Sequence, residues 1–168
     1  MPLNEDCGPK ALLAALDITF EQIDHPPLTD CQAADKLGVV RPGQRIKNLF
    51  LRDNYGKKHV LLLVPAHKQV DLKALSKQTG LSRLGFASPE RLEKYLGVKP
   101  GAVSLLALIN DRERAVRLWV DEGLWQGDDF QCHPLVSTQT LVISPAGVKR
   151  FCQHLGYQLQ LLPVPVRD

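Results

Sequence analysis

The stretch IKNLFLRDNYGKKHVLLLV, residues 46–64, decides how the rest of the chain must be arranged. From Ile46 to Arg52 it is rich in strand-forming apolar residues. Asp53-Asn54-Tyr55-Gly56 supplies turn residues, and Lys58 to Val64 closes on an aliphatic run. Two such runs around a short turn predict an antiparallel hairpin. Because the neighbouring elements do not follow a repeating βαβ order, the hairpin predicts a mixed sheet with helices packed around it, an α/β (mixed) fold.

Working outward, Pro9 with Lys10 to Leu16 reads as a first helix and Ile18 to Ile23 as a short strand ending at the turn His25-Pro26-Pro27. Thr29 or Asp30 caps a helix running to Lys36, stopped by Gly38. On the far side of the hairpin, Asp71 caps a helix through Thr79 and Gly80 stops it. Ser88-Pro89-Glu90 opens another that reaches Leu96 before Gly97. Val103 to Ile109, Val116 to Val120 and Thr138 to Ile143 read as buried strands. Ser144-Pro145 starts a helix ending near Leu155-Gly156, and Tyr157 to Val164 supplies a last strand. With no repeat, low-complexity segment or dividing linker, residues 1–168 are expected to form one compact domain with a single mixed sheet.

Hydrophobic residues make up 44% and charged residues 23% of the chain, ordinary values for a globular protein and far from disorder. The net charge of +3 is unevenly placed. Between 41 and 59 six basic residues (Arg41, Arg45, Lys47, Arg52, Lys57, Lys58) face one acid, Asp53, which gives +5 there and −2 elsewhere. A local excess of this kind suits a polyanion, although lysines also guard exposed strand edges. The start of the chain is acidic where a signal peptide needs positive charge, and no apolar run approaches membrane-spanning length, so a cytoplasmic protein is expected.

Several reaction classes are disfavoured by missing signatures: there is no Gly-rich phosphate loop, dinucleotide fingerprint, GxSxG elbow or HExxH. The four cysteines form no CxxC pair and read as reduced, mostly buried thiols. Five scattered histidines match no standard metal spacing, so neither a metal nor another cofactor is expected.

Two residues draw attention for their chemistry. Strand alternation puts Lys47 on the face of apolar Leu49 and Asn48 on the face of Ile46, so Lys47 is either an anion binder over a partly apolar surface or a snorkelling surface lysine. His133, in Phe130-Gln131-Cys132-His133-Pro134, lies in a loop ahead of a predicted strand. It is either a functional imidazole or a structural one hydrogen-bonded to nearby backbone.

Three pieces in order, IKNLFLRDNYGKKHVLLLV, LGVKPGAVSLLALIND and CHPLVSTQTLVIS with its closing helix, resemble the YbaK/ProX family of aminoacyl-tRNA deacylases. The resemblance spans nearly the whole chain. It implies a compact α/β fold with a curved mixed sheet and a free-standing enzyme of the branch that removes alanine from tRNA(Pro). Position by position, the family's lysine falls on Lys47, its asparagine on Asn48 and its His-Pro histidine on His133. The glycine-containing loop facing the aminoacyl group falls on Gly101, Ala102, Val103 and Ser104. Where relatives often read Ser-Pro-Phe-Gly this chain has Ser104-Leu105-Leu106-Ala107, a difference that bears on amino-acid specificity, as do Ser137 and Leu28-Thr29-Asp30-Cys31.

On this reading the partner is the acceptor end of tRNA(Pro) carrying a wrong amino acid, held by Arg41, Arg45, Arg52, Lys57 and Lys58. The resemblance leaves open whether the enzyme works alone or in transient contact with prolyl-tRNA synthetase. Lys47 and His133 are the expected catalytic residues: Lys47, with Asn48, would hold a terminal phosphate or the ester carbonyl, backbone N–H groups of residues 101–104 would stabilise the oxyanion, and His133 would hold the ribose hydroxyl or the substrate's polar end. Rival readings are deacylation of tRNA bearing Ser, Thr or Cys, a non-catalytic tRNA-binding module, and an unrelated small-molecule hydrolase.

Overall fold

The computed structural model describes residues 8–24, 46–125, 129–135 and 138–167. The expected helix from Thr29 or Asp30 to Lys36, the His25-Pro26-Pro27 turn, Arg41 and Arg45 lie outside them. The hairpin forms as expected, β2 (Ile46–Arg52) pairing antiparallel with β3 (His59–Pro65), Lys47 opposite Val64 and Arg52 opposite His59. Asp53 builds the turn. Its buried carboxylate accepts the backbone N–H of Lys57 at 2.8 Å and Lys58 at 3.1 Å, and these bonds hold its pKa below the usual carboxylate value. Gly56 supplies the left-handed φ of 69° that the turn requires.

Around β3 grows a five-stranded mixed sheet. Its order is β4 (Gly85–Phe86), β2, β3, β5 (Val116–Asp121), β8 (Gln160–Leu162), with β3, β5 and β8 parallel and β2 antiparallel to both its neighbours. A separate three-stranded antiparallel sheet holds β1 (Phe20–Asp24), β7 (Gln139–Ile143) and β6 (Phe130–Cys132), in the order β1-β7-β6. The mixed α/β class is as expected, but its strands fall into two sheets where one was foreseen. Phe130 to Cys132, read as a loop, pairs with β7 as Phe20 to Asp24 does from the other side.

Both faces of the larger sheet are covered. On one, Ile46, Phe50, Leu61, Leu63, Leu118 and Val120 pack with the second sheet and with α1 (Gly8–Ala15), α3 (Pro89–Leu96) and α5 (Pro145–Leu155). On the other, Leu51, Val60, Leu62, Val64 and Trp119 pack with Leu75 of α2 (Leu72–Thr79). The helix ends follow the sequence: Asp71, Ser88 and Ser144 accept a backbone N–H at the N-caps, and Gly80, Gly97 and Gly156 close the C-termini in left-handed geometry. Gly147 lets α5 settle on the smaller sheet, since a Cβ there would stand 2.8 Å from Ile18 and 2.9 Å from Ile143.

Val103 to Ile109, expected as a strand, is instead a 3₁₀ helix over Leu105–Asn110. The Ser104 hydroxyl accepts the N–H of Leu106 and starts it, and Leu105 to Ile109 are all buried. An apolar run buried on every side lacks the period that would separate strand from helix. The last strand is shorter than expected, and the single-turn helix α4 (Glu122–Trp125) and strand β4 carried no signal that was read.

Two buried polar centres anchor these elements. Asp111 accepts the N–H of Ala115 at 3.0 Å, the N–H of Val116 at 2.9 Å and the Tyr157 hydroxyl at 2.6 Å, joining the 3₁₀ helix, β5 and the end of α5. Removing the carboxylate strands two backbone amides and takes away the shortest acceptor of the Tyr157 hydroxyl, so Asp111→Ala is expected to lower stability by roughly 2–5 kcal/mol in urea unfolding. His59 stacks on Tyr95 with ring centroids 4.2 Å apart, and its Nε2 lies 3.1 Å from an Arg91 guanidinium nitrogen. Arginine only donates, so Nε2 accepts and the ring is neutral. Burial, then the charge of Arg91, lowers the His59 pKa below its ordinary 6.5. Between the two values the unfolded chain binds the extra proton, so stability should fall as pH drops below 6.5 towards the folded value. Urea midpoints measured across that range should fall less for His59→Gln than for the wild type.

Candidate active site

His133 follows directly on β6, and its ring and backbone are both tethered. Nδ1 lies 3.2 Å from the backbone oxygen of Gln139 in β7. A carbonyl can only accept, so Nδ1 carries the proton and, in the neutral ring, Nε2 holds the lone pair. Ser104 donates its hydroxyl to the backbone oxygen of His133 at 2.6 Å. This bond joins the glycine-containing loop to the histidine loop across 29 residues of sequence, so the structure brings together two of the pieces singled out above.

Ser104 itself is 1% exposed, and its hydroxyl both donates to His133 and accepts from Leu106. Its side chain is a tether, and only its backbone remains to meet a substrate. Gly101 and Ala102 lie in a short 3₁₀ turn, Pro100–Ala102, followed by the extended residues Val103 and Ser104. The N–H of Ala102 is bound to the oxygen of Lys99 at 2.9 Å, which withdraws it from the expected set of oxyanion donors.

The pleat of β2 separates Lys47 from Asn48. Asn48 alternates with Ile46 and Phe50 onto the face that packs against Cys132 and the second sheet, the side of the His133 loop. Lys47 alternates with Leu49 and Leu51 onto the face that α2 covers. Both are half-buried, and no hydrogen bond among the described residues joins Lys47 to His133. Asn48 is thus the β2 side chain that shares a sheet face with the histidine loop, while Lys47 sits beside it on the opposite face, one residue from the strand's start.

Of the residues expected to bind tRNA, Arg52 is half-buried and Lys57 and Lys58 are exposed at the hairpin turn. Five residues of strand rise put Arg52 about 16 Å from Lys47. Among the described residues, the basic side chains therefore extend along the hairpin and do not cluster at one point.

Sequence reading missed Lys10 and Gln139. The Lys10 ammonium donates to the Gln139 side-chain oxygen at 3.0 Å and to that of Gln22 at 3.3 Å, clamping the strand whose backbone holds His133. A contact across 129 residues leaves no local trace. Cys132, next to His133, is no nucleophile: it is fully buried, and burial pushes its thiol well above the ordinary range.

Residues 25–151 match the family model described as the aminoacyl-tRNA editing domain. The chain belongs to that family. It is 34% identical to a prolyl-tRNA editing protein ProX of Acetoanaerobium sticklandii, over 88% of this chain and 92% of that one. It is also 33% identical to the prolyl-tRNA synthetase associated domain-containing protein 1 of Danio rerio, over 84% of this chain and 78% of the relative. Among solved structures, one of a hypothetical protein superposes with a TM-score of 0.70 at 20% identity, covering 92% of this chain and 97% of that one. A candidate trans-editing enzyme for prolyl-tRNA synthetase does so with a TM-score of 0.60 at 19% identity, covering 87% of each chain. These likenesses bear out the fold, the family resemblance and the enzyme class, an aminoacyl-tRNA deacylase. No helix among the described residues is long and apolar enough to cross a membrane.

If Ser104 positions the histidine loop of this editing domain, Ser104→Ala should reduce kcat for aminoacyl-ester hydrolysis by about ten- to a hundredfold. Cys132→Ala, though less stable, should keep kcat within about threefold. Steady-state kinetics on the two variants, both checked for folding by circular dichroism, tests the difference.

Proposed function

We propose that this protein clears mischarged tRNA(Pro), with Ala-tRNA(Pro) as its principal substrate, by metal-independent hydrolysis of the aminoacyl ester. The observation that carries the reading is the Ser104–His133 hydrogen bond, which joins the glycine-containing loop to the backbone of the histidine loop. The names of the relatives, prolyl-tRNA editing protein and prolyl-tRNA synthetase associated domain-containing protein, support tRNA(Pro) as the carrier.

An aminoacyl ester is already activated, so a site that positions it and stabilises its oxyanion needs no strong nucleophile. Asn48 binds the ester carbonyl, and the amides of Gly101, Val103 and Ser104 receive the developing oxyanion. His133, its Nδ1 proton engaged by Gln139, turns Nε2 to a ribose hydroxyl or the substrate's polar end. Lys47, on the other face at the strand's start, is better placed for a phosphate of the terminal nucleotides than for the ester. Arg41, Arg45, Arg52, Lys57 and Lys58 hold the acceptor arm, and contact with prolyl-tRNA synthetase is transient. A rigid pocket admits alanine and excludes the bulkier proline, the sense of discrimination that sterics serve well. The whole chain, 1–168, acts as one editing domain.

The roles divide the kinetic outcomes. Lys47→Ala should raise KM for Ala-tRNA(Pro) more than it lowers kcat, whereas His133→Ala and Asn48→Ala should lower kcat by about 10²-fold or more. On a panel of tRNAs charged with Ala, Ser, Thr, Cys or Pro, the alanyl ester should be hydrolysed fastest, and prior treatment with EDTA should leave its rate unchanged. A preference for another amino acid, or full activity of Lys47→Ala, would refute the assignment.

A further inference from the structure

At the end of the hairpin remote from Lys47, two aromatic rings stand out of the fold: Tyr55 is 72% exposed and Phe86 64%. They belong to one tied surface. Strand β4 pairs with the end of β2, Phe86 opposite Leu51 and Gly85 opposite Arg52. The N–H of Asn54 donates to the backbone oxygen of Ser82, and an Arg91 guanidinium nitrogen donates to the oxygen of Gly56 at 3.1 Å. With Asp53 binding two further amides, the turn that carries Tyr55 is held from three sides.

The charges around the rings have one sign. Segments 52–58 and 82–86 hold Arg52, Lys57, Lys58 and Arg83 against a single acid, Asp53, whose carboxylate is buried under the backbone N–H groups of its own turn. Lys57, Lys58 and Arg83 are exposed. The first turns of α3 add Glu90 and Glu93 against Arg91 and Lys94 and leave this balance unchanged. Lysine is depleted in protein–protein interfaces, whereas exposed aromatic rings among lysines and arginines are what single-stranded nucleic acid binds, bases stacked on the rings and phosphates on the cations.

We propose that the hairpin end is a stacking platform for unpaired nucleotides of the RNA substrate, Tyr55 and Phe86 receiving bases and Lys57, Lys58 and Arg83 the phosphates between them. This rests on the reading that the substrate is a tRNA, and it adds a base-stacking contact some 16 Å along β2 from Lys47. The backbone that carries the two rings is tied before the RNA arrives, so little of the chain has to be ordered on binding.

The test is fluorescence anisotropy of the full chain with two labelled, uncharged RNA hairpins, one with a short single-stranded 3′ tail and one blunt. The double variant Tyr55→Ala/Phe86→Ala should weaken binding of the tailed hairpin about tenfold or more, leave the blunt hairpin unaffected, and leave the salt dependence of binding as it was. Lys57→Gln/Lys58→Gln should weaken both and flatten the slope of log affinity against log salt by about 1.4 to 1.8. Unchanged affinity of the aromatic variant for the tail, or an equal loss on both RNAs, overturns the platform. Hydrolysis assayed in parallel keeps the two readings apart. A wild type that binds the tail through these rings yet hydrolyses no aminoacyl-tRNA leaves the platform standing and refutes the function, whereas brisk hydrolysis with an aromatic variant of unchanged KM and tail affinity does the reverse.

Discussion

The structure depends on one constraint: β3 has no exposed face. Val60 to Val64 alternate between two separate apolar clusters, so each face of the strand must be covered by a different layer. Hydrogen bonding to β2 on one side and β5 on the other completes its isolation from water. Burying apolar surface at roughly 25 cal/mol per Å² favours this arrangement over any in which one layer is missing. The second sheet and α3 and α5 supply one layer, and α2 with the Leu84 segment supplies the other.

That constraint is also what sorts the site residues. Because β2 is locked to β3 over seven consecutive pairs, Ile46–Pro65 to Arg52–His59, its side chains have no freedom of register. A slip by one residue would exchange every face. Asn48 is thereby directed towards the second sheet and the His133 loop, and Lys47 away from it. The Ser104–His133 bond then brings a third chain segment to the same side.

The buried acids are committed to architecture. Asp53 holds the hairpin turn, Asp111 ties the 3₁₀ helix to β5 and Tyr157, and Asp121 at the end of β5 accepts the N–H of Gly123 at 3.2 Å and pairs with Lys68. Each carboxylate is occupied by donors from the fold itself. In the function proposed above, the chemistry falls to an imidazole, an amide side chain and backbone N–H groups, a set suited to hydrolysing an ester that is already activated and ill suited to attacking a stable amide.

By itself the sequence determined the hairpin, the caps of α2, α3 and α5, the residues that bear the family resemblance, and the concentration of positive charge between 41 and 59. These depend on neighbours within a few positions: a Ser or Asp that reaches an amide three residues on, a glycine with positive φ, an alternation along one strand. Only the tertiary structure decided that Leu105–Asn110 is helical, that Phe130–Cys132 is a strand, that the strands divide into two sheets, and that Ser104, Gln139 and Lys10 hold the histidine loop. A uniformly apolar run carries no period, a three-residue strand exists only through its partner, and hydrogen bonds across 29 or 129 residues are fixed by which layers pack together, a matter that local sequence cannot express.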